Sequence, residues 1–332
     1  MRPSGIGGQA VLEGIMMRNK DKYSVAVRKP DNNIEVMVDE YKGITSGKKI
    51  ISLPFIRGIF NFIDSMILGI KTLTYSAQFY EDEDVQESKA DKVADKVFKE
   101  KAEDALMTLT MILSFVFAIV LFVVVPSVAS DLIKKFFHIV SPTFLSIIEG
   151  VLRILIFIGY IVAISFMDDI KRTFMYHGAE HKCINCIENG YELNVENVMK
   201  SSRYHKRCGT SFIFMVMFIS IIFFIFINVS NPIIKVIVRL LLIPVIAGVS
   251  YEFIKLAGRS ESKIVDILSK PGMALQKITT REPTEDMVEV AIKAVSAVFD
   301  WEAYIKEADT ENNKEKTDAV NDAADDNGNG DS

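Results

Sequence analysis

The sequence contains few residues that could form a covalent framework. Only three of its 332 residues are cysteine, and three thiols cannot all pair with one another, so a disulfide-based scaffold is excluded. The N-terminus lacks the apolar stretch of a signal peptide, so we expect no cleaved secretion signal. The sequence also has no basic arm and no stripe of mixed basic and aromatic residues, which argues against a nucleic-acid partner.

Apolar residues, by contrast, are abundant. They make up 49% of the chain, and the mean hydropathy is +0.24. They are gathered in blocks, which is typical of an integral membrane protein with parts outside the bilayer. The apolar blocks indicate the lipid bilayer as a partner. The formal net charge of −5 is concentrated in an acidic run at 81–84 and in the C-terminal tail, so the net charge says little about other partners.

Four apolar segments are long enough to cross a bilayer, which needs about 20 residues. They cover residues 106–125, 144–166, 211–229 and 233–256, and a short Asn-Pro turn joins the last two into a transmembrane hairpin. Basic residues are concentrated in the connection 168–210, and short basic loops remain in the cytoplasm. The sequence therefore predicts a multi-pass bacterial inner-membrane protein with this loop and both termini in the cytoplasm.

A fifth apolar stretch, residues 53–78, differs from the four spans because it carries regularly spaced charges. Arg57, Asp64 and Lys71 recur at seven-residue steps and so lie along one helix face. This pattern favours an amphipathic helix in the membrane interface over a lipid-facing span.

The predicted fold class is mainly α: a polytopic membrane protein with four transmembrane helices, an interfacial helix and a small N-terminal β-hairpin. The hairpin is expected because residues 23–29 and 34–38 alternate apolar and polar side chains around a Pro-Asp-Asn-Asn turn. An amphipathic helix is expected over 287–305. The predicted domains are the hairpin region (1–52), the interfacial helix (53–78), a charged linker (79–104), the four-helix region with its His/Cys loop (105–258, loop 168–210), a C-terminal helical segment (259–307) and a disordered acidic tail (308–332).

The strongest chemical signal is a histidine pair between two apolar segments. His177 and His181 are four residues apart with Glu180 between them, and on a helix the three side chains lie on nearly one face. His-x-x-Glu-His is the inverted zinc-peptidase pattern, in which both imidazoles hold a metal and the carboxylate acts on its water. The alternative is a pair of solvated or hydrogen-bonded histidines on a helix that bind no metal.

The sequence does not decide which further residues would be metal ligands. The Cys-x-x-Cys at 183–186 and the His-x-x-Cys at 205–208 have the spacing of a structural zinc ribbon. A mixed site would instead add His205 or Cys208 to the histidine pair. The cysteines could equally be small apolar residues at a membrane boundary. A carboxylate ligand could come from Glu252, near the end of the fourth span, or from Glu188, which is nearer in sequence.

Ionisable residues also lie within the predicted spans. Glu149 and Arg153 form an i,i+4 pair in the second span, and Arg239 lies in the fourth. Charged groups inside a bilayer are costly unless they are paired. We therefore expect an interhelical ion pair, and the alternative is a polar pathway or a substrate seat.

A glycine-rich run, residues 5–14, contains the polar residues Gln9 and Glu13. No strand signal precedes it and no Lys-Ser or Lys-Thr follows it, so a phosphate-binding nucleotide loop is not expected. We expect the glycines to allow close backbone packing and Gln9 and Glu13 to make fixed polar contacts.

Four blocks of the sequence resemble the YqhQ-like family of uncharacterised bacterial membrane proteins. They are GGQAVLEGIMMR at 7–18, YHGAEHK at 176–182, RCGTSF at 207–212 and TTREP at 279–283, and the similarity extends to about residue 299. The family is described as metal-dependent enzymes, so the resemblance implies a metal. The similar positions include Gln9, Glu13, His177, Glu180, His181, His205 and Cys208. Cys183 lies outside the family pattern, which counts against the ribbon, and Lys206 stands where proline is usual.

Together these features predict a metal-dependent hydrolase at the cytoplasmic membrane face. A divalent ion, most simply zinc, would be held by His177 and His181 with His205 or Cys208, and Glu180 would be the catalytic residue. The alternative is a non-enzymatic assembly or quality-control factor that docks membrane protein partners and holds a structural metal. A transport function would rest only on the charged residues in the spans, and the paired broken helices of transporters are not evident.

Overall fold

The computed structural model describes residues 3–44, 51, 53–80, 94–139, 141–227, 229, 231–257, 262–308 and 310. Half of the predicted charged linker, residues 81–93, and nearly all of the predicted disordered tail lie outside the described residues. Within them the chain is mainly helical, with one small sheet close to the N-terminus.

Four strands form an antiparallel sheet in which each strand pairs with the next. They are β1 (Gly7–Val11), β2 (Gly14–Asn19), β3 (Lys22–Arg28) and β4 (Ile34–Glu40). The predicted hairpin is confirmed as the β3–β4 pair. The sequence analysis missed β1 and β2, because glycine is depleted in strands and the run carries little β-branched signal.

Ten α-helices follow among the described residues. They are α1 (Ile56–Ala77), α2 (Ala94–Ile119), α3 (Val125–Phe137), α4 (Pro142–Ile164), α5 (Asp168–Glu188), α6 (Val195–Lys200), α7 (Gly209–Ile225), α8 (Pro232–Ala257), α9 (Lys263–Thr279) and α10 (Glu285–Val298). A π-helical turn, Val120–Val124, joins α2 to α3. The helix expected over 287–305 corresponds to α10 and a second short helical stretch beginning at Trp301.

Within the described residues, three helical segments are long and apolar enough to cross a membrane: Thr108–Phe137, Pro142–Ile164 and Ile233–Ala257. The first is longer than predicted, since Pro126 stands in the first turn of α3, where its missing N–H is tolerated. Helix α7 is strongly apolar but has only 17 residues, fewer than the about 20 that a span needs. The predicted count of four spans is therefore not confirmed. The apolar helices mark the chain as a membrane protein.

Helix α5 is the central helix of the part that packs on the sheet. Every residue from 178 to 188 is buried. Its side chains Tyr176, Ala179 and Ile187 share one hydrophobic cluster with Met17 of β2 and Val288 of α10. Burial on nearly all sides fixes the rotation of α5 and therefore the direction of every side chain that it presents to the site.

Helix α1 turns its charged face towards the protein. Arg57 donates to Glu252 of α8 at 2.7 and 2.5 Å, and the buried Asp64 accepts from the Tyr41 hydroxyl at 3.1 Å. Lys71 forms an ion pair, at 3.0 Å, with a carboxylate of β4. The opposite face of the helix exposes large apolar side chains, namely Phe62, Ile63, Ile67, Ile70 and Leu73.

Candidate metal centre

Three metal-ligating side chains converge where α5 meets the beginning of α7. His177 and His181 come from consecutive turns of α5, and Cys208 is the residue that caps the N-terminus of α7. One donor atom from each lies within 4.8 Å of the other two. The Cys208 Sγ is 3.3 Å from the His177 Nε2. The predicted histidine pair therefore gains Cys208 as its third donor.

Backbone carbonyls fix the orientation of both imidazoles. The His177 Nδ1 lies 2.9 Å from the carbonyl oxygen of Thr279, and the His181 Nδ1 lies 2.7 Å from that of Arg203. A carbonyl only accepts, so each Nδ1 carries the proton and donates. In this orientation Nε2 is the ring nitrogen that faces the other donors and would bind a metal once it has lost its proton, and such outer contacts are usual for metal-binding histidines.

A glycine lets α5 approach the segment that holds His177. At Gly178 a Cβ atom would lie 2.0 Å from the carbonyl oxygen of Arg281, and the Arg281 N–H donates to the carbonyl of Phe174 at 2.8 Å. The carbonyl of Thr279 that accepts from His177 lies two residues before Arg281. Only glycine at 178 therefore allows the helix and this carbonyl to come together.

The electrostatics favour a thiolate at Cys208. Burial raises the pKa of this thiol, but the neighbouring imidazoles of His177 and His181 outweigh burial and hold the pKa well below its usual value. The Thr210 N–H, in the first turn of α7, also donates to the Cys208 Sγ at 3.3 Å. Burial lowers the pKa of His177, but Cys208 and Glu180 reverse this and raise it to about 9. The thiolate is the form of cysteine that binds metals.

Glu180 lies beside the three donors. Its Oε2 is 3.9 Å from the His177 Nε2, and its Oε1 accepts from the Gly8 backbone N–H at 3.0 Å. A Cβ at Gly8 would lie 3.0 Å from the Glu180 side chain, as well as against β2. The close backbone packing expected of the glycine run thus brings β1 against the carboxylate.

The donors open onto a cavity of about 290 Å³ whose lining includes residues 5–8, Ile184 and Gly209 as well as the site residues. The N-terminal segment forms one wall and is held at both ends. Ser4 donates to Glu188 through its N–H and its hydroxyl, at 2.7 and 2.8 Å, and Gly8 donates to Glu180. Between these contacts, a Cβ at Gly5 or Gly7 would meet nothing within 4 Å, so this wall is largely bare backbone.

The residues present fit a divalent metal. At ordinary zinc bond lengths, tetrahedral ligands lie roughly 3.5 Å apart, so the three donors need only small side-chain movements to share one ion. Two imidazoles and a thiolate suit zinc better than magnesium or calcium. Three protein ligands with adjoining free space is the arrangement of catalytic zinc sites, whereas structural sites close with four ligands.

His205 lines the cavity but its ring nitrogens are engaged elsewhere. The His205 Nε2 lies 3.4 Å from Glu188, and the Arg207 N–H donates to the Nδ1 at 3.4 Å. Glu188 also forms an ion pair with the Arg207 guanidinium. Burial raises the pKa of Glu188, but His205 and Arg207 outweigh it and lower the pKa to about 2. The structure places His205 and Glu188 in this ion network, outside the group of three donors.

The zinc ribbon considered from the sequence is not assembled. Cys183 is fully buried in the hydrophobic cluster of α5, and Cys186 donates to the carbonyl of Glu192 at 3.4 Å. Among the described residues, the one group of three or more potential ligands is His177, His181 and Cys208. Cys183 and Cys186 therefore behave as buried small residues of the core.

Three other candidates make their contacts away from the three donors. The Glu252 carboxylate is occupied by Arg57 and the N–H of Phe55, which excludes it as the third ligand. Glu13 forms an ion pair with Arg172 and accepts from the hydroxyl of Tyr176, the residue before His177, at 3.3 Å. Gln9 packs against α1, where a Cβ at Gly69 would lie 2.5 Å from its Oε1.

The charged residues of the spans form one interhelical cluster. Glu149 of α4 pairs with Arg153 at 3.3 Å and with Arg239 of α8. Sequence reasoning missed two partners: Lys235, which is 3.1 Å from Glu149, and Ser220 of α7, whose hydroxyl accepts from Arg153 at 2.9 Å. Arg239 lies nearer the start of α8 and Ser220 nearer the end of α7, so the cluster lies towards the opposite end of these helices from Cys208.

Comparison with known proteins agrees with the sequence blocks noted above. A family model described as "Protein of unknown function (DUF1385)" matches residues 53–301. The chain is 33% identical over 311 residues to "Uncharacterized protein YqhQ" of Bacillus subtilis (strain 168), covering 91% of this chain and 94% of that protein. No solved structure matches. The chain therefore belongs to the DUF1385 family. The similarity to YqhQ agrees with the YqhQ-like resemblance of the four sequence blocks.

Proposed function

We propose that this protein is an integral membrane metallohydrolase whose divalent ion, zinc, is held by His177, His181 and Cys208. The observation that carries the proposal is the group of three donor atoms within 4.8 Å of one another, beside a cavity of about 290 Å³. A structural metal site would need no such space. The contacts of both Nδ1 atoms with backbone carbonyls leave Nε2 as the ring nitrogen for ligation.

Glu180 is the residue that would move the proton. When bound, the ion would lower the pKa of a water in its open position to about 7. The Oε2 of Glu180, next to the His177 Nε2, would accept the proton of that water and pass it to the leaving group of the substrate. The Gly8 N–H holds the other carboxylate oxygen in place, which orients the base before substrate binds.

The proposed site lies against the cytoplasmic leaflet. Helix α7 would serve as the third of four spans, with α1 lying in the interface. The exposed apolar face of α1 supports this placement, and so do the basic residues of 168–210, the connection that carries the site. In this topology both termini are cytoplasmic and the membrane is the inner membrane of a bacterium.

The test is a Glu180→Gln variant, because glutamine keeps the acceptor for the Gly8 N–H but cannot take up the proton. Purified parent and variant would be assayed for zinc by elemental analysis. They would also be incubated with total bacterial lipid and with a peptide mixture, and products read by mass spectrometry. Glu192→Gln, which removes an exposed carboxylate of the same connection, is the matched control.

We expect the Glu180→Gln variant to keep its zinc and to lose hydrolysis by at least about 100-fold, the usual scale for a general base, while Glu192→Gln behaves like the parent. Equal activity of Glu180→Gln and the parent would contradict the proposal. If, in addition, His177→Ala abolished function in cells, the non-enzymatic assembly factor with a structural metal would replace it.

A further inference from the structure

We infer that the substrate of this site is a phospholipid, and that its phosphate binds in a second cavity next to the metal cavity. The inference rests on the proposed hydrolase function and names the substrate class. The second cavity has a volume of about 400 Å³ and is lined by residues 5 and 7–9, Met16, Arg18, Lys20, Ser65 and Leu68.

The two cavities share a wall made of backbone. Gly5, Gly7 and Gly8 line both. Since a Cβ at Gly5 or Gly7 would point into open space, no side chain from these positions separates the two volumes. A ligand held in the second cavity therefore lies across this stretch of backbone from the cavity that His177, His181 and Cys208 line.

The second cavity is cationic. Among the described residues that line it, Arg18 and Lys20 are the charged ones, and neither has a salt bridge to another described residue. The Arg18 Nε donates to the Lys20 carbonyl at 2.8 Å, and its guanidinium lies 5.3 Å from the centre of the Tyr41 ring. These contacts position the guanidinium, a group that binds phosphate well.

The same cavity reaches the edge of the apolar surface of α1. Ser65 and Leu68 belong to α1, and the exposed Phe62, three residues before Ser65, is its neighbour on the helix surface. The Phe62 ring packs on Phe212 of α7 at 5.6 Å, which continues the apolar surface towards the membrane helices. A free phosphate ester or an acidic peptide would use the cations only, whereas a phospholipid uses the cations and this apolar face.

The reaction is the hydrolysis of an ester bond near the phosphate. The oxygen of water forms a bond to the acyl carbon or to phosphorus, and the bond from that atom to the alcohol oxygen breaks. One proton of the water goes through Glu180 to the departing alcohol. No oxidant or second substrate is required.

The experiment measures lipid binding separately from metal content and turnover. The full-length protein, stripped of lipid in detergent, is titrated with a fluorescent short-chain phosphatidylglycerol. The test variant is Arg18→Gln/Lys20→Gln. The matched control is Lys171→Gln/Lys293→Gln, which removes the same charge from exposed positions that line neither cavity.

We expect the test variant to bind phosphatidylglycerol at least about tenfold more weakly, on the basis of roughly fivefold per basic residue near an anionic lipid, and the control to change by less than about twofold. Lys20 is exposed, so Lys20→Glu alone provides a folded variant in case the double substitution disturbs Arg18. Diacylglycerol, which lacks the phosphate, is expected not to bind.

The other outcomes overturn the inference. One is an equal loss of phosphatidylglycerol binding in the test and control variants. Another is binding of diacylglycerol as tight as that of phosphatidylglycerol. The third is displacement of the lipid by inorganic phosphate or an acidic peptide at similar concentrations. His181→Ala separates the two proposals, since it should lose zinc and keep lipid binding. If the parent itself holds no zinc but lipid binding still depends on Arg18 and Lys20, the hydrolase fails and the phospholipid site remains.

Discussion

At the scale of single residues, the candidate metal centre combines a local pattern with one distant residue. His177 and His181 share a helix face, and Cys208 joins them because it caps the next long helix of the chain. The other two cysteines are buried in the core or bonded to a backbone carbonyl. The three cysteines therefore have distinguishable roles that metal analysis can separate.

We predict that Cys208→Ala lowers zinc affinity by at least about 100-fold, since loss of a ligand should exceed the 10- to 100-fold cost of losing an outer contact. Cys186→Ala, the control, should keep zinc at the parental level. The measurement is zinc content after dialysis against a chelator of graded strength. Parallel loss of zinc in both variants would revive the ribbon and remove the proposed centre.

Glu188 gives a prediction for pH. Its pKa of about 2 in the folded protein lies below the ordinary value of about 4.3. Its ionised form therefore stabilises the fold above about pH 4.5, and this contribution is lost as the pH falls from there towards 2.

Accordingly, Glu188→Gln should reduce the free energy of unfolding by about 2 kcal/mol at pH 7, because it leaves Arg207 and His205 without their carboxylate. Its melting temperature in detergent should also fall less than that of the parent between pH 5 and pH 3. Parallel pH profiles for the two proteins would show that this ion network contributes nothing.

At the scale of elements, the site depends on how closely α5 approaches the residues after α9. The contact at Gly178 places α5 against the carbonyl of Arg281, and the neighbouring Thr279 carbonyl orients His177. Helix α1 is held in a comparable way, by ion pairs to α8 and to β4. Both helices are placed by contacts with segments far away in the sequence.

We predict that Gly178→Ala weakens zinc binding about tenfold or more, as loss of an outer contact does, because a Cβ there forces α5 away from the 279–281 segment. Gly159→Ala in α4 is the matched control, since a Cβ at that position meets nothing within 4 Å. Zinc titration and thermal unfolding of both variants are the measurements. Normal zinc binding by Gly178→Ala would mean that the Thr279 carbonyl does not control His177.

At the scale of the whole molecule, two charged regions lie towards opposite ends of the helical bundle. The candidate metal centre lies at the start of α7, and the cluster around Glu149 involves the end of α7 and the first turns of α8. A buried carboxylate that joins α4 to α8 fixes the packing of these helices. The topology proposed here puts the metal centre on the cytoplasmic side and this cluster nearer the other face.

Cysteine labelling in intact cells tests the orientation. The native cysteines are all buried, so an introduced cysteine reports on its own position. We predict that a cysteine replacing Lys135 reacts with a membrane-impermeant maleimide added outside the cells, and that one replacing the exposed Lys200 reacts only after the cells are opened. The reverse pattern would place the metal centre outside the cytoplasm.

The sequence by itself determined the features that depend on local composition and period. Blocks of apolar residues predicted a mainly helical membrane protein, and the alternation before and after Pro30 predicted β3 and β4. The i,i+4 spacing of His177 and His181 was enough to place both on one face, because a helix repeats every 3.6 residues wherever it occurs.

Only the tertiary structure decided which further residue joins His177 and His181. His205 and Cys208 are three positions apart, and no local pattern says that the first turns towards Glu188 and the second towards His177. The same holds for strands β1 and β2. Their glycines have a weak strand preference, yet formation of β1 brings Gly8 to Glu180. Such choices depend on packing between segments distant in the chain, and hydrophobic periodicity carries information only about neighbours along it.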